Sequence, residues 1–204
     1  MCIRDRLWTA FGTNGKVAKD SSILFWFDGQ TRYSEDVGRL GVSIVRPGLG
    51  YKLSENLSLW TGYAWVVSQT SGNENATDNR FWQQATYKIC DCEAGSFSGR
   101  TRFESRFFRS GGNTGFRIRQ LFKWTYPLSE AWYSSLWNET FFALNDTDFG
   151  AEAGYDQNRT HLGLGWRVLP KLKVEAGYLF NNINRSSGSN LDNHNFSLAF
   201  AVPF

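Results

Sequence analysis

The 204-residue sequence has no long hydrophobic run, because Asp, Arg, Lys, Gln or Gly interrupts every apolar segment. A membrane-spanning helix needs roughly 18 consecutive apolar residues, so transmembrane helices are excluded. An excess of charge of one sign is also missing, since 22 Lys and Arg are set against 19 Asp and Glu for a net charge of +3. Such balanced totals do not indicate nucleic-acid binding, and we expect no nucleic-acid partner.

Imidazole and thiol groups are scarce, with 2 His and 3 Cys in the whole chain. Cys90 and Cys92 are two residues apart, a spacing that would close a very small, strained disulfide ring. His161 and His194 are too few to complete a zinc site with them, and no phosphate-binding glycine motif is present. We therefore expect no metal, no cofactor and no catalytic residue, and we interpret the two cysteines as incidental turn residues.

Apolar and polar residues instead alternate with a period of two along most of the chain, which predicts β-strands. The clearest case lies near the C-terminal end, where Phe196, Leu198 and Phe200 alternate with Ser197 and Ala199. The same pattern predicts eleven strands, near residues 7–13, 23–33, 41–53, 57–68, 80–89, 97–109, 115–126, 132–144, 156–169, 172–182 and 194–204. The fold class is therefore all-β.

The lengths of the strands and of their connections indicate a membrane barrel. Most strands exceed the roughly 5–6 residues usual in globular sheets and match the about 9–11 that cross a bilayer on a tilt. Short connections, such as 54–56 and 170–171, alternate with longer polar ones, such as 69–79 and 183–193, as in barrels with short periplasmic turns and long external loops. We predict an antiparallel up-and-down transmembrane β-barrel of about 12 strands in the intact protein, within a range of 10 to 12, because single-chain bacterial barrels have even strand numbers.

The first six residues do not have the basic start, apolar stretch and small-residue cleavage site of a signal peptide. They resemble a translated sequencing-adapter remnant. We expect residues 1–6 to be non-native, and residues 7–204 to form a single outer-membrane barrel that is truncated at its N-terminus.

Alternation alone does not decide whether the apolar face points outward to lipid or inward around a ligand. Aromatic residues near strand ends favour lipid, because such rings lie at membrane interfaces. They are Trp8, Tyr33, Tyr51, Trp65, Trp124, Tyr126, Trp132 and Tyr178. The terminal Phe204 resembles the signal through which the barrel assembly machinery recognises the last strand, so we expect that machinery and outer-membrane lipid as partners.

With the apolar face outward, a set of charged residues points into the barrel lumen. We predict an ionic network there that consists of Asp28, Arg32, Arg46, Arg80, Arg100, Arg102, Glu104, Arg106, Arg117, Arg119, Glu139, Arg159, Arg167 and Glu175. Charged lumen residues are the ordinary filling of a small barrel, so this network can be a purely structural ladder. Rings of Arg also favour anions in pores, so it can alternatively pass or hold small anions.

Several segments occur in an order that resembles a bacterial family called domain of unknown function 2490. They are Arg46-Pro47-Gly48-Leu49-Gly50-Tyr51, Arg80-Phe81-Trp82-Gln83-Gln84, Arg100-Thr101-Arg102-Phe103-Glu104-Ser105-Arg106, Asn138-Glu139-Thr140-Phe141, Asp156-Gln157-Asn158-Arg159 and Gly177-Tyr178-Leu179. The resemblance implies an integral outer-membrane β-barrel of bacteria without an assigned activity. Ser105 departs from the family pattern, which carries Gln at this position.

These observations lead to one principal hypothesis and two alternatives. The principal one is a porin-like outer-membrane barrel whose Arg-rich, Glu-buffered lumen is structural or passes or holds small anions. The first alternative is a surface hydrolase that acts on lipid, with a serine of the loop at 186–189 and His194 as its reactive groups. The second is a soluble barrel that carries a ligand among its aromatic residues.

Overall fold

The computed structural model describes residues 6–34, 37–69, 75–109, 111–185 and 189–203. Most of these residues lie in eleven β-strands. In chain order the strands are β1 (Leu7–Lys16), β2 (Ile23–Ser34), β3 (Arg39–Lys52), β4 (Leu57–Gln69), β5 (Asn75–Cys92), β6 (Gly95–Phe108), β7 (Thr114–Pro127), β8 (Trp132–Ala143), β9 (Gly154–Leu169), β10 (Leu172–Ile183) and β11 (Leu191–Pro203). No helix within these described ranges is long and apolar enough to span a membrane.

The strands close into a barrel in which each strand pairs with its neighbour in sequence. Ten of the eleven pairings are antiparallel, as predicted, and the number of strands lies within the predicted range of 10 to 12. The closing pair differs, because β1 and β11 are parallel over Leu7↔Phe196 to Asn14↔Pro203. An odd number of alternating strands brings the first and the last into the same direction, so closure at eleven requires one parallel pair.

Strand β5 is longer than the sequence pattern predicts. Its polar first residues continue the ladder, with Asn75 opposite Gln69 and Asp78 opposite both Val66 and Phe108. Ladder hydrogen bonds use only the backbone, so a strand can extend beyond the residues that show alternation. At the other end Cys90 and Cys92 are strand residues rather than turn residues, and both are exposed free cysteines.

The two faces of the barrel differ sharply in polarity. Outward-facing Leu49, Leu162 and Phe196 are 60%, 61% and 55% exposed, whereas inward-facing Arg102 and Glu104 are 0% and 1% exposed. A soluble ligand-carrying barrel has the reverse arrangement. The structure therefore contradicts that alternative and agrees with a barrel whose outer face contacts lipid.

One patch of the outer face, on β8 and β9, is polar. Asn138 Nδ2 donates to Asn158 Oδ1 at 2.8 Å, and Asn158 Nδ2 donates back to Asn138 Oδ1 at 3.0 Å. Thr140 and Thr160 each accept a further hydrogen bond from these amides at 2.8 Å. The four side chains thus satisfy one another, which lowers the cost of placing them in an apolar surrounding.

The strand connections define the two ends of the barrel. One end, called here the short-turn end, carries residues 17–22, 53–56, 93–94, 128–131 and 170–171. At the other end, called the long-loop end, the sequence segments between strands are 35–38, 70–74, 109–113, 144–153 and 184–190, of which 35–36, 70–74, 110 and 186–188 lie outside the described residues. Apart from the first connection at each end, the predicted asymmetry in length is present.

Large rings lie flat against the inner wall where glycines leave room for them. Trp82 is completely buried and covers Gly48 and Gly62 on the two preceding strands. A Cβ atom at Gly48 would lie 2.5 Å from Trp82 Cζ2 and 2.8 Å from the carbonyl oxygen of Thr61. Glycine is therefore required at this close approach, and the ring fills the lumen beside β3 to β5 instead of projecting outward.

Replacing one of these glycines tests how much the ring packing contributes. In Gly62→Ala the new Cβ would lie 2.5 Å from Trp82 Cζ2 and in contact with the carbonyl oxygen of Pro47. We expect this overpacking to lower the free energy of unfolding by about 1–3 kcal/mol, measured from urea titrations followed by tryptophan fluorescence. Gly12→Ala is the control, because its Cβ would meet nothing within 4 Å. Equal stability of the two variants would contradict the packing role of Trp82.

Candidate functional site

Arginine and acidic side chains converge in the lumen because they occupy every second position of neighbouring strands. On β6 these positions are Arg100, Arg102 and Glu104, and on β7 they include Arg117 and Arg119. The register sets Glu104 opposite Arg117 and Arg102 opposite Arg119. Directly opposed residues have Cβ atoms about 4.5–5.5 Å apart, so the register brings Glu104 against Arg117. It also sets two arginines side by side, Arg102 and Arg119, and Arg119 reaches diagonally to Glu104.

Glu104 is the centre of this ionic network. Its Oε2 accepts from Arg117 Nη2 at 2.6 Å, and its Oε1 accepts from Arg119 Nη1 at 2.6 Å. Arg80 and Arg102 approach the same carboxylate at 3.7 and 3.8 Å. One buried carboxylate therefore compensates four guanidinium groups, which makes it the acid on which the network most depends.

Glu139 forms a second centre on β8. Its Oε1 accepts from Arg100 Nη2 at 2.7 Å and from Arg119 Nη2 at 2.8 Å. Arg159 is more distant, with 3.8 Å between its Nη1 and Glu139 Oε2. Arg119 thus links the two glutamates into one continuous network.

Three aspartates complete the network. Arg46 pairs with Asp28 at 3.1 Å, Arg117 pairs with Asp156 at 3.1 Å, and Arg80 and Arg106 pair with Asp78 at 2.6 and 2.8 Å. The sequence prediction missed Asp78 because the predicted strand began at residue 80. Its position two residues before Arg80, and so on the same face of a strand, was the signal that identifies it.

Positive charge remains in excess after all these pairs are formed. Nine arginines, namely Arg32, Arg46, Arg80, Arg100, Arg102, Arg106, Arg117, Arg119 and Arg159, share the lumen with five carboxylates of this network. Within the described part of the chain Arg32 makes no ion pair, and the Nε atoms of Arg32 and Arg159 are buried without a hydrogen-bond partner. Uncompensated buried charge is costly, and the region around Arg32 and Arg159 is where the protein compensates it least.

Aromatic rings separate some of these guanidinium groups. Arg32 and Arg159 lie 4.1 and 5.0 Å from the ring centroid of Trp8, and Arg159 and Arg119 lie 4.4 and 4.5 Å from that of Phe141. We call these five residues the cross-lumen stack, because they run from β2 through β1, β9 and β8 to β7. Cation–π contacts of this kind stabilise charges that lack a carboxylate.

The cross-lumen stack lies between two cavities. The outer cavity has a volume of about 500 Å³ and includes residues of the long-loop end, such as Tyr33 and Asn193. The inner cavity, of about 250 Å³, continues toward the short-turn end. The two share Trp8, Arg32, Arg46, Arg119 and Arg159 as lining residues.

A third cavity leads from this region to the short-turn end. This basal cavity has a volume of about 340 Å³ and shares Arg100 and Leu121 with the inner cavity. Lys88 and Lys123 line it further toward the turns. The three cavities form a chain along the barrel in which every junction carries at least one arginine.

Two of the predicted network residues lie apart from the network. Glu175 pairs with Lys123 at 2.9 Å and accepts hydrogen bonds from Ser135 and Tyr133 at 3.1 and 3.4 Å. Arg167 donates to the carbonyl oxygen of Glu130 at 3.0 Å, in a turn of the short-turn end. The other twelve predicted residues line the cavities or form the buried ion pairs described above.

The two histidines occupy different faces. His161 points into the lumen, where its Nε2 lies 2.9 Å from Ser197 Oγ and its ring stacks on Trp137 at a centroid distance of 5.0 Å. Its Nδ1 is 3.8 Å from Glu175 Oε1, which is too long for a hydrogen bond. The ring instead covers Gly177, whose Cβ would lie 2.7 Å from Nε2.

His194 points outward and is hydrogen-bonded through Nδ1 to the hydroxyl of Tyr178. The hydrolase alternative pairs His194 with a serine of the loop at 186–189. Residues 186–188 of that loop lie outside the described residues. Within the described ranges, no group of three or more His, Cys, Asp or Glu residues is arranged to hold a metal ion.

The predicted interface aromatics are distributed as follows. Near the short-turn end, four of them are about half exposed on the outer face: Tyr51, Trp124, Tyr126 and Trp132. Trp65 is exposed to a similar degree on the outer face near the long-loop end. Tyr178 is on the outer face but in the middle of β10. Tyr33 lines the outer cavity, and Trp8 lies in the lumen rather than at an interface because β1 places it beside Arg32. Phe204, the predicted assembly signal, lies outside the described residues.

The closed barrel with an apolar exterior and a polar lumen is a porin-like β-barrel. A search of solved structures gives the NanC porin, with a TM-score of 0.56 over 91% of this chain and 93% of the porin chain at 10% sequence identity. At that identity the similarity concerns the fold alone.

The sequence comparisons identify the family. An uncharacterized protein of Methylorubrum extorquens is 34% identical over 206 residues, which cover 98% of this chain and 87% of the relative. Residues 5–192 match the family described as "Protein of unknown function (DUF2490)". The chain belongs to this family, which confirms the resemblance seen in the sequence.

The central position of Glu104 gives a direct test of the network. Glu104→Gln removes the negative charge shared by four arginines and leaves them buried together, so we expect a loss of about 3–5 kcal/mol in the free energy of unfolding. Urea titration in detergent micelles measures it. Glu55→Gln is the matched control, because Glu55 pairs with Lys52 at the surface and its side chain is 89% exposed. If both variants unfold at the urea concentration of the unmodified protein, Glu104 does not hold the network together.

Proposed function

We propose that this protein is an integral β-barrel of the bacterial outer membrane that attracts small anions into its lumen from the long-loop end and passes them along the three cavities. The observation that carries this proposal is the lining of the outer cavity. Within residues 7–204 it contains seven arginines, namely Arg32, Arg46, Arg80, Arg106, Arg117, Arg119 and Arg159, and a single carboxylate, Asp156, among its lining residues.

The outer face supports the membrane location. Leu, Phe, Trp and Tyr side chains project from it along most strands and are 37–61% exposed. Trp132 and Trp166 stack in parallel near the short-turn end, with ring centroids 5.6 Å apart, where a membrane interface would accommodate them. Outer-membrane lipid, and the assembly machinery acting on the last strand, are the partners that this location requires.

The electrostatics of the lumen support the preference for anions. Low-dielectric walls lined by charge of one sign focus the field and raise the local concentration of the opposite ion. A purely structural ladder accounts for the pairs around Glu104, Glu139 and Asp78, since each acid there has close partners. It does not account for Arg32, which faces two cavities without an ion pair in the described residues.

The membrane location has a direct test. The chain is expressed with a cleavable signal peptide fused before Leu7, and membranes are fractionated. We expect the protein in the outer-membrane fraction, with faster mobility in unheated than in boiled samples on a detergent gel, because closed hydrogen-bonded barrels resist detergent until they are heated. Recovery as a soluble protein without a mobility shift would contradict the proposal.

The preference for anions is tested by reversal potentials in planar bilayers under a KCl gradient. We expect the reversal potential to be shifted from zero toward the equilibrium potential of chloride. Arg106→Gln should move it back toward zero, because that variant removes one positive charge from the outer cavity. Lys19→Gln, in an exposed turn of the short-turn end, serves as the control and should leave it unchanged. A reversal potential on the potassium side, or no conductance, would overturn the proposal.

A further inference from the structure

We propose that Arg32, Trp8 and Arg159 form a binding site for a small hydroxylated organic carboxylate at the floor of the outer cavity. This inference rests on the proposed function, because the ligand reaches the site through the anion-attracting lumen, and it goes further by naming a site and a ligand class. Two undercompensated arginines support it, together with the ring that both of them contact and an adjacent buried amide.

Arg32 is the least compensated arginine of the lumen. It makes no ion pair with any described residue, and its Nε is buried without a hydrogen-bond partner. Its guanidinium group lies over the Trp8 ring at 4.1 Å and lines both the outer and the inner cavity. Because Arg32 lines both cavities and has no carboxylate partner among the described residues, its guanidinium group is placed to donate to a ligand there.

Arg159 is the second undercompensated arginine. It is only 8% exposed, and its Nε is also buried without a partner. Its nearest carboxylate, Glu139, lies 3.8 Å away and is already engaged at 2.7 and 2.8 Å by Arg100 and Arg119. Arg159 thus approaches Trp8 from a second strand, with hydrogen-bonding capacity that the protein leaves unused.

Two guanidinium groups on one ring favour a carboxylate in particular. A carboxylate is planar and offers two oxygens, which match the parallel N–H groups of arginine and give strong, directional pairs. Trp8 lines both cavities, so the part of its indole ring that the guanidinium groups leave uncovered provides an apolar surface for the rest of a small organic molecule. The cavity volume of about 500 Å³ is within the range of small-molecule sites.

The adjacent residue Asn181 adds the preference for a hydroxyl group. Asn181 lies directly opposite Arg159 in the register of β10 and β9, and both line the outer cavity. It is 3% exposed, and its Oδ1 is buried without a hydrogen-bond partner. A buried acceptor beside a carboxylate site selects a ligand that carries a donor, such as the hydroxyl group of a hydroxy acid.

The experiment is isothermal titration calorimetry of the full chain in detergent micelles with sodium gluconate, acetate, inorganic phosphate and uncharged sorbitol. We expect saturable binding of gluconate, at least tenfold weaker binding of acetate and phosphate, and no binding of sorbitol. Arg32→Gln should weaken gluconate binding at least tenfold, because this variant removes a charged hydrogen-bond donor to the carboxylate of the ligand. Asn181→Leu should abolish the preference for gluconate over acetate.

Arg167→Gln is the matched control, because Arg167 is an inward-facing arginine of the short-turn end that bonds only to a turn and to Tyr133. Trp8→Phe provides a second variant that keeps a ring under both guanidinium groups, and we expect it to fold and to bind gluconate. Equal weakening by Arg32→Gln and Arg167→Gln, or phosphate binding as tight as that of gluconate, would overturn the site.

The reversal potential separates the two proposals. A channel that prefers chloride but does not bind gluconate refutes this site and leaves the proposed function standing. A channel that prefers potassium refutes the proposed function, whatever the calorimetry shows.

Discussion

The structure depends on how nine arginines are accommodated inside a barrel by five carboxylates. Burial of unpaired charge is costly, and the chain reduces that cost by sharing Glu104, Glu139 and Asp78 among several arginines. Glu104 and Glu139 bind Arg119 jointly at 2.6 and 2.8 Å, so the pairs on β6, β7 and β8 form one connected network. The surplus charge collects on the other side of the lumen, around Arg32 and Arg159, where aromatic rings and open volume replace carboxylates.

Large rings fill part of the lumen and limit its open volume. Trp60, Trp82 and Trp26 occupy the lumen beside β2 to β5, and their rings contact one another edge to face. Glycines on the neighbouring strands make room for them, as Gly48 does for Trp82. The outer and inner cavities are lined by β1, β2 and β9 to β11, where Arg32 and Arg159 lie, and they extend to residues of β3 and β5 to β8. The basal cavity lies among β4 to β7.

Much of this architecture could be predicted from the sequence because it depends on a period of two. Alternation places Arg102, Glu104 and Arg106 on one face whatever the register, so their inward direction could be predicted. The pairing of Glu104 with Arg119 could not, because it requires the register between β6 and β7. Trp8 was assigned to a membrane interface from its position near a strand end, and only its pairing with Arg32 shows that it lies in the lumen. The parallel contact of β1 with β11 depends on closure of the whole sheet, which no local pattern reports.

The central claim is that the surplus positive charge of the lumen is compensated by bound anions, and it can be tested most directly by anomalous scattering from crystals soaked in sodium bromide. We expect a bromide peak within hydrogen-bonding distance of the guanidinium groups of Arg32 or Arg159, beside the Trp8 ring. An absence of bromide within hydrogen-bonding distance of every inward-facing arginine would contradict it.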